Sequence, residues 1–341
     1  MSIINILDKI KDNDNIDTDL AQTIIDFDDD ELIELQKLCL DIKEKNFGKE
    51  LLLHYPNRRF PAISITGTHC KLNCKHCNKH YLKTMIQAPS PEALIETCKN
   101  LDQRNAIGCL ISGGFDDEAK VPFEKFLNAL KKIKKSTNLI LNLHTGLITK
   151  SLATELGKIG IDVVSFDITA DEYIIHNIYG LNKSKEDYIK SYTWLLQSKI
   201  KTISPHICIG LNPNDKLSEY RSLTLLKDFK PEIIVFIAFI PTKDTPMQDL
   251  PPPTASHISK IICLGRLMFP KSEIVLGCMR PKLKNSKVQI EKYAINSGLN
   301  RIVLPSRALV NYLLSHNYPL LKYNSCCALP KRILSKFINV D

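Results

Sequence analysis

The run AISITGTHCKLNCKHC, residues 62–77, sets a short strand-like segment directly against three cysteines spaced Cys70-x3-Cys74-x2-Cys77. Its first half has the apolar, β-branched character of a strand and ends at Gly67, which places the cysteines in the loop that follows. Seven further runs of the same kind come after it. They are GCLISG (108–113), LILNLH (139–144), IDVVSFDI (161–168), TISPHICIG (202–210), IIVFIAFI (233–240), EIVLGC (273–278) and RIVL (301–304). Segments long enough for helices separate them, such as SPEALIETCKNLDQ, in which Ser90 suits the N-cap and Pro91 the first helical position. Most of the runs are almost continuously apolar, as strands covered on both faces must be. Strand–helix alternation repeated eight times predicts an α/β fold, a (βα)8 TIM-type barrel that is complete or nearly so, with an open doubly wound sheet as the alternative.

The chain has 341 residues, 44% of them apolar, enough for one large barrel. Residues 1–55 read as an acidic, helical N-terminal extension, in which Leu32, Leu35, Cys39 and Ile42 share one helical stripe. Residues 56–315 are assigned to the barrel, and 316–341 to a C-terminal tail with the adjacent pair Cys326-Cys327. No run of eighteen apolar residues appears, and the N-terminal MSIINILDKIKDNDN turns acidic before a signal-peptide core could form. The expectation is a cytoplasmic protein without a membrane span. Eleven cysteines, an odd number, then read as reduced thiols or metal ligands rather than a disulfide framework. Cys39, Cys98, Cys109, Cys208 and Cys263 lie within apolar runs and read as core. The net charge of +9 comes from lysines scattered in KKIKK (131–135) and PKLKNSK (281–287), without the aromatic interleaving of a nucleic-acid surface. An acidic protein partner or an anionic ligand fits, no nucleic acid is expected, and solvated helix faces are the plain alternative.

In a barrel of this type the working residues collect where strands end and the next loops begin. Those ends supply the cysteine loop, Ser112-Gly113-Gly114, His144, Asp167, Gly210 with Asn212, Pro241-Thr242-Lys243, and Cys278-Met279-Arg280. Three thiolates can hold a 4Fe-4S cluster and leave one iron open to an outside ligand. A zinc site completed by His69, His76 or His80 is the competing reading of the same loop.

The cysteine spacing, placed after the first strand and followed by a glycine pair after the second, resembles the signature of the radical S-adenosylmethionine (radical SAM) superfamily. The resemblance implies that Cys70, Cys74 and Cys77 hold a 4Fe-4S cluster whose open iron is chelated by SAM. It implies further that one electron from the cluster releases a 5'-deoxyadenosyl radical that abstracts hydrogen from an unactivated carbon. By the same resemblance Gly113 and Gly114 meet the methionine amino group, with Phe115 standing where the family has Glu. Asp167 then accepts from the ribose hydroxyls, and Gly210 lets the adenine lie close. His144 joins these as a cofactor-binding candidate, and His206, inside its strand, reads equally as a core histidine or a ligand.

The combination LISGGFDD, LNLHTGL, PHICIGLN, FIPTK, LGCMRP and SCCAL extends the resemblance to archaeal-type homologues of biotin synthase. One branch of these supplies one of the two radical SAM proteins that together act as a lipoyl synthase. That implies sulfur insertion at C6 and C8 of an octanoyl chain carried on a lipoyl carrier domain. The implied partners are the octanoylated carrier, a sister radical SAM subunit, and reduced ferredoxin or flavodoxin as electron donor. Candidate ligands of a second, auxiliary iron–sulfur cluster are Cys278, Cys326 and Cys327, the tail having to fold back to the barrel mouth to bring the last two there. Arg280 occupies the place of an arginine that meets the auxiliary cluster in biotin synthase, a structural salt bridge being its plain alternative. The other functions carried forward are a radical SAM reaction on a small molecule and, from another class, a zinc-stabilised binding protein.

Overall fold

The computed structural model describes residues 16–282 and 284–335; residues 1–15 of the N-terminal extension and 336–341 of the tail lie outside them. Two helices open the described chain, Thr18–Asp26 and Asp29–Phe47. Asp28 starts the second with a reciprocal cap: its carboxylate accepts from the Glu31 N–H, and the Glu31 carboxylate accepts from the Asp28 N–H. Leu32, Leu35 and Cys39 are buried on this helix, and the Cys39 thiol points at the Cys263 carbonyl in helix Ala255–Met268. The same two helices are tied by Gln36 Nε2 donating to Ser259 Oγ at 2.8 Å. Cys39 is a core thiol, as its stripe suggests.

Eleven strands follow: β1 Leu51–His54, β2 Ala62–Ser64, β3 Ile86–Gln87, β4 Gly108–Ser112, β5 Ile140–His144, β6 Val163–Asp167, β7 Thr202–Ile209, β8 Ile233–Ala238, β9 Glu273–Leu276, β10 Arg301–Val303 and β11 Leu320–Tyr323. They form one sheet in the order β11-β1-β10-β9-β8-β7-β6-β5-β4-β2-β3, with every pair parallel. All eight strands read from the sequence are present and neighbour one another in chain order. Ser90 caps helix Pro91–Gln103 by accepting from the Ala93 N–H, with Pro91 in its first turn.

Three strands were not legible in advance, and two of them shift the expected boundaries. β1 lies inside the stretch read as N-terminal extension, and β11 inside the stretch read as tail. The sheet is also open: β3 and β11 are its two ends, and they do not pair among the described residues. It is nevertheless strongly curled. β1 and β2 sit near opposite ends of the sheet order yet are joined only by residues 55–61, a link that spans at most ~25 Å when extended.

Residues alternate between the two faces of this curl. Leu141, Leu143, Val164, Phe166, Ile207, Ile234, Phe236, Ile274 and Leu276 pack outward in the main core with the helices. Their chain neighbours Ile140 and Val163 turn inward with Leu52, and Ile233, Val235, Val275 and Val303 form a second inner group.

The lumen is filled from below by the chain's own tail. Tyr323, Ala328, Leu329 and Leu334 pack on Leu52, Ile140 and Val163, while Cys327 packs on Val235, Val275 and Val303. Side chains of the wall hold the tail's backbone. Ser204 Oγ donates to the Ala328 carbonyl at 3.1 Å, Arg301 Nη1 donates to the carbonyls of Cys327 and Leu329, and His54 Nδ1 lies 3.3 Å from the Ser325 carbonyl. Arg332 fastens the tail's exit to Glu232, the Lys201 carbonyl and Thr202 Oγ1, at the N-terminal ends of β7 and β8. The tail therefore does not fold back over the mouth. It enters from the opposite end and lays a floor inside the curl.

Candidate functional site

The cysteine loop is stitched to the end of β4. Thr66 Oγ1 donates to the His69 carbonyl at 2.9 Å and accepts from the Gly114 N–H at 2.7 Å. The Lys71 N–H donates to the Phe115 carbonyl at 2.8 Å, and the Phe115 N–H points back at Cys70 Sγ at 3.2 Å. A Cβ on Gly114 would lie 2.0 Å from the His69 carbonyl oxygen and 2.5 Å from Cys70 Cβ, and one on Gly113 would touch Thr66 at 3.0 Å. Both glycines are thus explained by the close approach of the cysteine loop itself. Gly114→Ala is expected to push Cys70 out of place and lower the iron bound per chain several-fold in anaerobic reconstitution. Unchanged iron and sulfide counts would mean that the loop yields instead.

Cys70 and Cys74 are buried and Cys77 half-buried, and none of them is in a disulfide. Burial first, then the charges of Cys77 and Cys70, push the Cys74 thiol up to about 12. Burial, with the charge of Cys70 added to it, raises Cys77 as well, and three thiols crowded into one loop are a donor set that wants cationic metal. Among the described residues no three His, Cys, Asp or Glu side chains converge as a single ion requires. A cubane makes a different demand, since each thiolate takes its own iron, and the loop fits a cluster held by three cysteines. Bound there, such a cluster with SAM would supply one-electron chemistry.

Beside the loop, the ends of β5, β6 and β7 bring three predicted residues onto one rim. His144 Nε2 and Asp167 Oδ2 are 3.1 Å apart, His144 Nδ1 lies 3.4 Å from Ser112 Oγ, and the His144 and His206 ring centroids are 6.4 Å apart. Burial opposes charge on this pair, but each partner outweighs it for the other: Asp167 lies below the usual carboxylate range and His144 above the usual imidazole range. Burial pulls His206 down to about 4, and its Nδ1 is 2.9 Å from the Ser204 carbonyl.

Asp167 and His206 line a cavity that continues past His76, Tyr179, Cys208 and Glu219. Cys208, read as core, is part of this lining. Tyr179 and Glu219 were missed in the sequence, and His76, read there only as a candidate zinc ligand, lines this cavity. Among the described residues His76 Nδ1 and Glu219 Oε2 are buried without a hydrogen-bond partner, the Tyr179 ring sits 5.6 Å from the His76 ring, and His257 Nε2 stands 3.9 Å from Glu219 Oε2. Burial pushes the Glu219 carboxyl up to about 7. Its other oxygen accepts from the Gly210 N–H at 2.7 Å. Gly210 has φ +83°, and its open side is filled by the Pro253 ring, 2.9 Å from where a Cβ would stand. The glycine is therefore required by this turn and by its contact with the Pro-rich loop.

Residues 64–220 match the family described as the radical SAM superfamily. The chain carries a radical SAM domain there. Its curated relatives include the biotin synthase of Campylobacter hominis, 26% identical over 71% of this chain and 74% of that protein. The biotin synthase of Clostridium acetobutylicum is 22% identical over 91% and 93% respectively. Among solved structures, methylornithine synthase (PylB) superposes with a TM-score of 0.65 at 19% identity, covering 87% of this chain and 85% of that one. The FeFe-hydrogenase maturase HydG from Carboxydothermus hydrogenoformans reaches 0.70 at 16% identity, covering 98% and 82%. These structures share the fold. The chain is a radical SAM enzyme with biotin synthase homologues, and that family implies a 4Fe-4S cluster and SAM.

This radical SAM protein also gathers the three other candidate thiols in its lumen. Asn142 Nδ2 lies 3.5 Å from Cys326 Sγ and donates to Ser165 Oγ at 3.0 Å. Cys327, then the Ala328 N–H and the Asn142 amide, outweigh burial and bring the Cys326 thiol down to about 7. Cys278 is close enough to Cys326 for that thiol's charge to add to burial in raising its own pKa. Arg280 is the correction in this group. Its side chain is 1% exposed, its Nη1 donates to the Gly277 and Val303 carbonyls at 2.7 Å each, and its Nη2 pairs with Glu291 at 2.8 Å. The arginine is bound into the wall by a structural ion pair, and its two terminal nitrogens are not offered to a cluster or an anion.

No helix among the described residues is long and apolar enough to cross a membrane.

Proposed function

We propose that this radical SAM enzyme inserts sulfur into an octanoyl chain on a lipoyl carrier domain, as one of the two components of a lipoyl synthase. One observation carries the reading: the tail brings Cys326 against Asn142, directly beneath the rim that holds His144, Asp167 and His206. Asn142, Ser165 and Ser204 stand two residues before His144, Asp167 and His206 on the same three strands. Two residues along a strand are about 6–7 Å, so the thiol layer lies one pleat period below the rim. Sulfur insertion at an unactivated carbon needs hydrogen removed on one side and sulfur presented on another. A chain held between the rim and the floor would meet both.

In this reading Cys70, Cys74 and Cys77 hold the 4Fe-4S cluster, Asp167 and His144 face the nucleoside of SAM, and Cys278, Cys326 and Cys327 hold an auxiliary cluster as sulfur source. The partners are an octanoylated carrier, a sister radical SAM subunit, and reduced ferredoxin or flavodoxin. A charge of +9 suits an acidic carrier. A second reading, biotin-synthase-like action on a free small molecule, is favoured by the curated relatives themselves.

The test uses anaerobically reconstituted protein, with and without its sister enzyme. Octanoylated carrier should gain sulfur by mass spectrometry. The double variant Cys326→Ser, Cys327→Ser should still cleave SAM but give no sulfur-containing carrier. SAM cleavage with the carrier octanoylated in every pairing would sink the lipoyl reading. Sulfur gain on a free biotin precursor instead would establish the second.

A further inference from the structure

The lumen contains more polar atoms than its hydrogen bonds use. Among the described residues, His54 Nε2, Ser325 Oγ, Arg301 Nε and Arg280 Nε are all buried without a partner. Each belongs to a side chain beside the thiols. Ser325 precedes Cys326, Arg301 holds the Cys327 carbonyl, Arg280 follows Cys278 by two residues, and His54 meets the Ser325 carbonyl.

His54 is the informative one. It is fully buried on β1, and its ring is clamped, stacked on Tyr323 with centroids 5.5 Å apart and planes 22° apart. Its Nδ1 lies 3.3 Å from the Ser325 carbonyl, which can only accept, so Nδ1 carries the hydrogen. Burial, with the Arg301 guanidinium next to it, holds the ring neutral. Nε2 is then a bare lone pair in the interior, an acceptor whose desolvation goes uncompensated if nothing meets it. An imidazole whose one nitrogen donates to a backbone carbonyl and whose other offers a fixed lone pair has the form of a metal-bound histidine. Thiolate and imidazole together make a known ligand mixture for iron–sulfur clusters, and one that raises the cluster's potential.

We infer that His54 Nε2 is a nitrogen ligand of the iron–sulfur cluster held by Cys278, Cys326 and Cys327. The inference rests on reading those lumen thiols as cluster ligands. It gives β1, the strand next to the sheet's open edge, a task, because β1 then carries a ligand to the floor that the tail lays.

The experiment uses the full chain with Cys70, Cys74 and Cys77 all replaced by alanine, so that only the lumen site can load. After anaerobic reconstitution with iron and sulfide and one-electron reduction, electron–nuclear double resonance is recorded on unlabelled and 15N-histidine-labelled protein. The expected result is a nitrogen coupling that changes isotope with the label. His54→Gln should abolish it and weaken iron retention roughly 10-fold or more. The labelling arm needs no substitution at His54 and so stands even if that variant fails to fold. Iron present without a histidine coupling, as when a buried water takes up Nε2, overturns the inference and leaves the lumen cluster intact. A coupling that persists in His54→Gln overturns it in favour of another histidine. No iron at all in the cysteine-loop triple variant sinks the lumen cluster and this inference together, while SAM cleavage by the wild type remains a separate measurement.

Discussion

Replacement of Cys74 by alanine is expected to reduce the iron bound at the cysteine loop to background and to abolish SAM cleavage. The reason lies in the number of ligands. A cluster held by three thiolates has no spare, and the remaining two would leave a second iron open in a loop already fixed by Thr66, Gly114 and Phe115. Because the Cys74 thiol contributes only a long 3.9 Å contact to the Tyr179 carbonyl, while the loop's shorter hydrogen bonds run through its backbone, through Thr66 and to Cys70 Sγ, the Cys74 variant should unfold within about 1 kcal/mol of the wild type without metal. Iron counting, SAM cleavage by chromatography and apo-protein urea unfolding check the three parts. Retained SAM cleavage would remove the cysteine loop from the chemistry.

A loss of about 3–5 kcal/mol is expected for Arg280→Ala, read as a shift of the urea unfolding midpoint. Glu291 is fully buried, and Arg280 is the partner that neutralises it at 2.8 Å. Lys287 stands 3.8 Å away with about a quarter of its side chain exposed, and it cannot replace the guanidinium's bonds to the Gly277 and Val303 carbonyls. Glu291 also accepts from the Ser306 backbone and hydroxyl, which start helix Arg307–Ser315, so the loss should reach the sheet's β10 side. A shift under about 1 kcal/mol would mean that water enters the wall and solvates Glu291.

What the sequence revealed and what it hid have separate physical causes. The eight strands were legible because burial on both faces leaves long apolar runs, and the cysteine loop was legible because its ligands are local in sequence. β1 was hidden because LLLH is a single four-residue stretch after a helix, and nothing local says that it will pair with residues 301–303 and 320–323. The ion pair of Arg280 with Glu291 and the packing of Gly210 on Pro253 join residues whose meeting depends on where loops run. Openness is a property of how the two sheet ends meet, which no one segment encodes. The tail showed its thiols but not its route, because SCCAL carries no period that could distinguish a lumen floor from a lid.

The route of the tail also sets an order of assembly. Cys77 leaves the ribosome about 250 residues before Cys326, roughly 12–50 s earlier at ordinary synthesis rates. The nascent polypeptide therefore exposes its mouth-side thiols to the cell's iron-delivery machinery while its interior is still hollow. The tail, made after strands β1 to β10, enters that hollow later, so a ribosome stalled before residue 316 would release a chain whose curl has no floor beneath the cysteine loop.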